Sequence, residues 1–270
     1  MDDLKIIGIM LTWNNLEFFR CAVKQALEFC DELILVEGGN STKYPKRSND
    51  GTAEFIQTMK THPKLKIMDF TRGNRYDYLQ RDIRREYPKQ SPYYKPGNWV
   101  FHWDDDLFFM DKDLRKLRGM MWHCKKDSLN LMCRWFSYNF RFNVFTRMGP
   151  VCYRITDGLI LKGVLMAYYK DRRSYSISYP NNMIAFHYSF VKKLDRLRTR
   201  LVLATEKGTP GAMDRLNMWE NIKWSRDEDI LNNGTMRKMM AKGELNIYEG
   251  PHPEALDNHP WRYIDDVRSI

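Results

Sequence analysis

Residues 5–37 carry the clearest signal for the fold and read KIIGIMLTWNNLEFFRCAVKQALEFCDELILVE. The segment opens with a short, Ile-rich apolar run, Lys5 to Leu11, which is typical of a buried strand. Apolar residues then recur at helical spacing over 16–30, which predicts an amphipathic helix, and Asn15 is suited to cap its start. A second apolar strand follows from Glu32 to Glu37. This order predicts a parallel sheet with right-handed crossovers.

The same alternation continues along the chain. A turn at Asn49 to Thr52 precedes a predicted helix over 52–60, and Leu65 to Phe70 is a third predicted strand. Residues 75–86 are predicted to be helical, and Trp99 to Trp103 is a fourth strand. We therefore expect an α/β fold with a mixed, mostly parallel, Rossmann-like central sheet flanked by helices.

The second half of the chain is less regular. Residues 129–170 are rich in aromatic residues and Arg and are predicted to add strands to a mixed sheet. A helix with a strongly basic face is predicted over Val191 to Thr205. We expect one large domain over 1–205 and a C-terminal extension of helices and loops over 206–270, packed on that domain.

The composition is that of a globular chain with a basic surface. Of 270 residues, 43% are hydrophobic and 14% aromatic, and the formal net charge is +10. These values exclude a disordered or fibrous chain. The positive charge favours anionic partners, namely nucleic acid, phosphorylated substrates or an acidic membrane face, but composition does not choose among them.

The chain shows no signal for membrane insertion or for disulfides. No apolar run reaches the roughly 18 residues of a membrane span, so we expect no transmembrane segment. The acidic start, Met1-Asp2-Asp3, is unlike a signal peptide. Five Cys without a C-x-x-C pair indicate reduced thiols, and we expect a cytoplasmic protein.

Three consecutive carboxylates, Asp104, Asp105 and Asp106, follow the fourth predicted strand directly. Neighbouring carboxylates repel one another unless a cation or an Arg neutralises them. Alternate side chains of an extended chain point the same way, so Asp104 and Asp106 are placed to share one hard cation. Mg²⁺ and Mn²⁺ prefer such oxygen ligands and bridge to phosphate oxygens. The alternative is a solvated acidic turn before a helix.

Polar residues also follow the other predicted strands. They lie at Thr12 to Asn15, at Glu37 to Ser41 and around Arg72 to Arg75. In parallel sheets, ligands bind at the carboxyl ends of the strands. The topology therefore places these residues and the three carboxylates at one edge of the sheet.

In the order of these motifs, the chain resembles the family 2 type of nucleotide-sugar glycosyltransferase with the GT-A fold. The resemblance covers about residues 5–110. It departs from the family pattern at Glu37, where an Asp is usual, at an apparent insertion over 42–48, and at Leu107, where many relatives carry an acid. The matching segments are Ile6 to Asn15, Leu33 to Ser41, Asn49 to Thr52, Gln80-Arg81-Asp82 and Asp104 to Asp106.

The resemblance implies a nucleotide-binding half over 1–110 and an acceptor half over 111–205. It also implies Mn²⁺ or Mg²⁺, held by Asp106 and bridging the diphosphate of the donor. The residues that it places against the nucleotide sugar, with Glu37 at the base or ribose, are Thr12, Trp13, Asn14, Glu37, Gly38, Arg81, Asp104 and Asp105.

Three further residues are candidates in the second half. A late His often completes the metal or diphosphate site in GT-A enzymes, and His187 fits that position; the alternative is a core His. Lys192 is a candidate diphosphate contact, or else part of a solvated basic face. An inverting enzyme needs a base for the acceptor hydroxyl, and Asp157 is our candidate, although an Asp-Gly turn explains it equally well.

The sequence therefore predicts a metal-dependent, hexosyltransferase-type enzyme that moves a sugar from a nucleotide sugar, UDP-linked by expectation, to an acceptor hydroxyl with inversion. Aromatic residues interleaved with Arg over 134–147 favour a polyanionic acceptor, either a modified DNA base or a glycolipid such as a lipopolysaccharide or capsule precursor. The alternatives are a non-catalytic binder of nucleic acid or anionic surfaces, and a metal-dependent nuclease or phosphotransferase.

Overall fold

The structure is a computed structural model that describes residues 4–38, 47–69, 84, 86–137, 139–161, 167–169, 177–178, 183–206, 213, 217, 220, 241 and 245–264. The chain forms two compact units. The first comprises Met1–Met132, Arg147–Ala185 and Pro253–Ala255, and the second comprises Cys133–Thr146, Phe186–His252 and Leu256–Ile270. The domain boundary at 205 stays a prediction.

The first unit is built on a sheet of five strands joined in part by two helices. These elements are β1 (Ile6–Thr12), α1 (Leu16–Phe29), β2 (Glu32–Glu37), α2 (Thr52–Thr58), β3 (Leu65–Asp69), β4 (Trp99–His102) and β7 (Phe142–Arg154). The strand order is β3-β2-β1-β4-β7. The first four strands in this order are parallel, and β7 runs antiparallel to β4. The expected α/β class with a mixed sheet is therefore confirmed.

The described residues form further elements. A single-turn 3₁₀ helix, Pro88–Gln90, precedes β4, and another, Glu254–Leu256, lies near the C-terminus. The further strands and helices among the described residues are β5 (Leu107–Phe109), α3 (Asp111–His123), β6 (Ser128–Ser137), β8 (Leu159–Leu161), β9 (Ala167–Tyr169), β10 (Ile177–Ser178), β11 (Ile184–Phe190), α4 (Leu194–Glu206) and β12 (Asn246–Ile247). Strand β8 pairs with β9 antiparallel.

The parallel register brings the carboxyl ends of the strands side by side. Thr12 at the end of β1 pairs with Glu37 of β2, and Glu37 pairs with Asp69 of β3. On the other side of β1, Ile9 pairs with His102, the last residue of β4. The residues that follow β1, β2 and β4 therefore emerge at one edge of the sheet, as the sequence predicts.

The sheet is buried on both faces, which explains its continuous apolar strands. One face packs Ile9, Ile34, Val100 and Tyr153 into a single cluster. On the other face Phe101 makes an edge-to-face contact with Phe29, with ring centroids 5.6 Å apart. Aromatic pairs of this kind stabilise a core beyond their buried area.

Gly8 allows the end of α1 to lie close against β1. A Cβ at this position would lie 2.7 Å from the Cys30 sulfur and 2.9 Å from a Leu33 methyl carbon. Any side chain here would therefore force β1 away from the end of the helix, so glycine is the residue that fits this position.

The second unit has an aromatic core. Phe136 stacks on Tyr188 with ring centroids 4.7 Å apart, and Phe140 packs against Tyr188 at 4.8 Å. The Tyr188 hydroxyl lies 2.7 Å from Nδ1 of His252. Much of the predicted helix over 191–205 is present as α4. In the part of the chain that the structure describes, no helix is long and apolar enough to cross a membrane.

Two sequence predictions need comment here. Most of the predicted helix over 75–86 lies outside the described residues. Asn15 occupies the N-cap position of α1, as predicted, but its side chain makes no capping hydrogen bond. Asp50 caps the helix instead, because its carboxylate accepts the backbone N–H of Leu16 at 3.1 Å.

Candidate active site

The candidate site lies in the first unit, where β1, β2 and β4 end. Thr12 is the last residue of β1, Glu37 the last of β2, and Asp104 to Asp106 follow β4 within a few residues. The Leu107 backbone N–H donates to the Asp104 carbonyl at 3.1 Å, so the three carboxylates form a turn between β4 and β5. The site is thus built on strand ends of a packed sheet.

Asp104 and Asp105 each have a defined partner. The Thr12 hydroxyl donates to Asp105 over 2.7 Å, which ties the end of β1 to the acidic turn. Nη2 of Arg84 donates to Asp104 over 2.8 Å. Arg84 is only 4% exposed, so its positive charge is held inside the protein. Such a cation offsets the repulsion between neighbouring carboxylates.

Arg84 is a site residue that the sequence analysis missed. Its Nε and Nη1 are buried and find no hydrogen-bond partner among the described residues. A buried guanidinium with unused N–H groups is well suited to an anionic or carbonyl-bearing ligand. The only sequence signal was its place in an Arg-rich stretch, and nothing there distinguishes Arg84 from Arg81 or Arg85.

Asp106 is the most buried of the three carboxylates, at 4% exposure. Trp103 supports the turn, since its indole N–H donates to the Leu107 carbonyl at 2.9 Å. A buried carboxylate is costly unless it is paired or binds a cation. Asp106 is thus a carboxylate held inside the acidic turn, next to the two that Arg84 and Thr12 contact.

A hydrogen-bonded loop covers the ends of β1 and β2. Asn14 adopts a left-handed conformation with φ of 47°, and its side-chain oxygen accepts the Asn49 N–H at 2.7 Å. Ser48 joins the loop after β1 to the end of β2. Its hydroxyl accepts the Asn14 N–H at 2.7 Å, and its own N–H donates to Glu37 at 2.6 Å. The Gly38 N–H donates to the Thr12 carbonyl at 3.0 Å.

This loop brings Thr12, Asn14, Glu37 and Gly38 together, as the sequence predicts. Trp13, in the same loop, is half-buried. The Ser48 bond occupies one carboxylate oxygen of Glu37. Arg81 lies outside the described residues.

His102 lies just below the acidic turn and is 1% exposed. Its ring packs against Tyr153, with centroids 5.3 Å apart. Burial, and then the nearby Arg84 guanidinium, hold the pKa of His102 well below its usual range. His102 is therefore a neutral imidazole at physiological pH, and Arg84 is the cation of this corner of the site.

The carboxylates of the site provide some of the ligands that a divalent cation needs. No group of three His, Cys, Asp or Glu side chains is arranged to hold a metal within the described residues. Asp104 is paired with Arg84 and Asp105 with Thr12. Mg²⁺, however, is usually bound by one or two carboxylates together with substrate phosphates, and Asp106 suits such a set. A cation shared by Asp104 and Asp106 stays a prediction.

Asp157 is not near the acidic turn. The antiparallel pairing of β7 with β4 matches Arg154 with Trp99, the first residue of β4. The chain after Arg154 continues in the same direction, since the Ile155 carbonyl accepts the Gly97 N–H at 2.9 Å. Asp157 thus lies beyond the amino end of β4, whereas the carboxylates lie beyond its carboxyl end. The prediction of Asp157 as the catalytic base is corrected accordingly.

His187 and Lys192 belong to the second unit. The His187 ring packs on Trp135 with centroids 4.9 Å apart, and its Nε2 lies 2.7 Å from the Ser189 hydroxyl. Lys192 is buried. Its charge adds to burial in lowering the pKa of His259 to about 3. The roles of His187 as a metal ligand and of Lys192 as a diphosphate contact stay predictions.

Comparisons with known proteins give a fold-level likeness only. No protein-family model matches the chain, and no curated sequence is similar to it. Solved structures of TarS from S. aureus are similar at TM-scores of 0.45 and 0.44, with 14% and 13% identity over 75% and 87% of this chain. This chain spans 65% and 47% of those two chains.

The mannosyltransferase PcManGT from Pyrobaculum calidifontis, in complex with GDP-Man and Mn²⁺, is similar at a TM-score of 0.41 and 11% identity. That likeness covers 88% of this chain and 73% of the mannosyltransferase. At these TM-scores the likenesses carry no argument about activity. The function must be argued from the site itself.

Proposed function

We propose that the protein is a nucleotide-sugar-dependent glycosyltransferase of the GT-A type. One observation carries the proposal: three consecutive carboxylates lie at the end of β4, next to the carboxyl ends of β1 and β2. One of the carboxylates is paired with a buried Arg84 and one with Thr12. This edge of a parallel sheet is the place where nucleotides bind. The order of the sequence motifs supports the same reading.

In this proposal the loop after β1 and the end of β2 hold the nucleoside. Asn14 and Glu37 are both fixed by Ser48, so they form a rigid wall for the base and ribose. Thr12 and Arg84 orient Asp105 and Asp104 toward the ribose and sugar. Trp13 adds an aromatic surface beside the base.

Asp106 is proposed to bind Mn²⁺ or Mg²⁺ together with the diphosphate of the donor. The bound cation would supply neutralisation of the charge that develops on the leaving nucleoside diphosphate. The buried guanidinium of Arg84 contributes positive charge to the same edge of the sheet.

The reaction breaks the bond between the sugar C1 and the diphosphate oxygen and forms a bond from C1 to the acceptor oxygen. The acceptor hydroxyl releases its proton to a base. Because Asp157 lies beyond the amino end of β4, we propose that this base is a residue other than Asp157. We propose a polyanionic acceptor, a modified DNA base or a glycolipid precursor, because the chain carries a formal charge of +10.

The first test is ligand-dependent thermal stability. The protein is melted with UDP- and GDP-linked sugars, each with Mn²⁺ and with EDTA. A donor at 100 times its Kd stabilises the folded state by about 2.7 kcal/mol, which is visible as a melting shift. We expect one donor to give a metal-dependent shift that Asp106→Asn abolishes.

Glu54→Gln is the matched control, since Glu54 is an exposed acid on α2 of the same unit. It should keep the full shift. If the melting shift survives in Asp106→Asn, Asp106 does not bind the metal ion. If no donor produces a shift while duplex DNA does, the protein is a binder and not a transferase. DNA cleavage that needs metal but no donor would indicate a nuclease.

A further inference from the structure

Helix α3 carries a strongly basic outer face. From Leu114 to Lys126 the chain contains five Lys and Arg residues and no acid. Four of the five are exposed, with Lys116 lying 3.9 Å from Asp113, whereas Arg118 pairs with Asp31. We call the exposed part of this segment the α3 patch, and on it Trp122 and Gly119 lie among the basic residues. The members of the patch are Arg115, Lys116, Gly119, Trp122, His123, Lys125 and Lys126.

The geometry of the helix places the patch on one side. Positions 115, 116, 119, 122 and 123 follow the three- and four-residue spacing of a single helix face. The opposite face, with Leu114, Leu117 and Met121, is buried in the first unit. The side chains at these five positions therefore project together, away from the core, and the exposed Lys125 and Lys126 follow directly after the helix.

Trp122 is out of place on such a surface. Its side chain is 41% exposed, and among the described residues it is the one large exposed apolar side chain of the first unit. Leaving an indole in water gains nothing for the fold. An exposed Trp followed within four residues by Lys125 and Lys126 is a combination that suits a membrane interface, where the ring lies among the headgroups.

Gly119 lies between the basic residues and Trp122. A Cβ at this position would meet nothing within 4 Å. Packing within the protein therefore does not require glycine here, although glycine is unfavourable inside a helix. Without a side chain at 119, the helix can lie closer to a flat partner.

The patch lies at the amino end of the sheet. Arg118 fixes this part of α3, since its guanidinium donates to the Phe29 carbonyl at 2.6 Å and to Asp31 at 2.8 Å. Phe29 ends α1 and Asp31 precedes β2. The acidic turn lies at the opposite end of the same sheet, so a partner on the patch leaves the candidate active site open.

We propose that the α3 patch docks the protein on an anionic phospholipid surface. Cationic side chains attract such a surface. The ring of Trp122, once it enters the headgroup region, adds the second signal that stable peripheral binding needs. Single-stranded nucleic acid is less suitable, because its binding relies on several aromatic rings for successive bases. The patch offers one large aromatic ring, that of Trp122, and the smaller imidazole of His123. The proposal does not depend on the glycosyltransferase activity.

The test is co-sedimentation of the full chain with vesicles of phosphatidylcholine alone or mixed with phosphatidylserine. We expect binding only when phosphatidylserine is present, with a decline as salt is raised. The double variant Lys125→Glu, Lys126→Glu should lower the vesicle partition coefficient by about tenfold or more. Trp122→Ala should lower it severalfold without any change of charge.

The control is Lys24→Glu with Lys60→Glu, which makes the same charge change at exposed positions outside the patch. It should bind nearly as the parent protein does, and melting curves confirm that each variant is folded. Equal loss in the control would show attraction by net charge alone and overturn the proposal. So would an absence of phosphatidylserine-dependent binding, or duplex DNA binding that Lys125→Glu, Lys126→Glu abolishes while vesicles do not bind.

Discussion

At the scale of single residues, the candidate site depends on a few short hydrogen bonds that hold like charges together. The 2.7 Å bond from Thr12 to Asp105 joins β1 to the acidic turn. Thr12 is buried, so its hydroxyl has no water to replace this partner. Hydrogen bonds to charged groups contribute more than neutral ones, because the ionised acceptor binds its donor more strongly.

Thr12→Val removes the hydroxyl and keeps the shape of the side chain. We expect it to lower the free energy of unfolding by about 2 kcal/mol, since the Asp105 carboxylate loses its donor. Thr12→Ser, which keeps the donor, should lose less than half of that. Urea unfolding of the three proteins measures the difference. Equal stability of the Val and Ser variants would show that the bond contributes nothing.

Sequence patterns predict the position of a side chain where its neighbours along the chain decide it, and they fail where tertiary pairing decides it. Asp104 to Asp106 follow an apolar strand and are readable from sequence alone. Arg84 bonds to Asp104, which is 20 positions away in sequence, and no local pattern predicts that contact. Asp157 was misplaced because the antiparallel pairing of β7 with β4, which decides its end of the sheet, is not encoded in its own neighbourhood.

At the scale of elements, α1 begins at a loop from another part of the chain. Its first N–H groups need acceptors that the helix itself lacks. Asp50 supplies one to the Leu16 N–H at 3.1 Å and also accepts the Thr52 N–H at 3.0 Å. One carboxylate thus serves the starts of α1 and α2, and its negative charge is favourable at both.

Asp50→Ala should therefore destabilise the protein by about 1–2 kcal/mol, because both helices lose an acceptor in their first turn. Asp50→Asn keeps an oxygen acceptor without the charge and should lose a smaller amount. Thermal unfolding of the two variants beside the parent protein tests this. If Asp50→Asn is as unstable as Asp50→Ala, the charge at the helix starts matters more than the hydrogen bonds.

Periodicity predicted most of the elements of the parallel sheet to within a few residues. The strands over 6–12 and 32–37 are buried along most of their length, so their apolar runs are continuous and easy to recognise. The strand over 65–69 is half-buried, and its apolar residues still indicate it. The capping hydrogen bond of α1 was not predictable, because Asp50 is 34 positions from the residue it bonds. Sequence patterns indicate which surface of an element is buried, but not which distant side chain caps it.

At the scale of the whole molecule, both units contain histidines that the fold keeps neutral. His102 is buried beside Arg84 in the first unit, and its pKa lies well below the usual range. In the second unit, burial and then the Arg262 charge lower the pKa of His252 to about 4. Burial and then the Lys192 charge lower the pKa of His259 to about 3. Each imidazole would be destabilising if it were protonated in place.

These depressed pKa values make folding sensitive to acid. In the unfolded chain each histidine has a pKa of about 6.5, so it binds a proton below that pH while the folded protein does not. The contribution of these histidines to stability is therefore fully present above about pH 7 and is lost progressively as the pH falls below about 6.5, where the unfolded chain binds a proton that the folded protein does not bind.

His102→Leu keeps the ring site apolar beside Ile9, Val100 and Tyr153 and removes the contribution of His102 to this loss. Its melting temperature should decline less steeply between pH 7 and pH 5 than that of the parent, whereas the exposed His123→Gln control should follow the parent. Parallel curves for His102→Leu and the parent would mean that His102 accepts a proton in the folded state, and that the carboxylates beside Arg84 stabilise its charge.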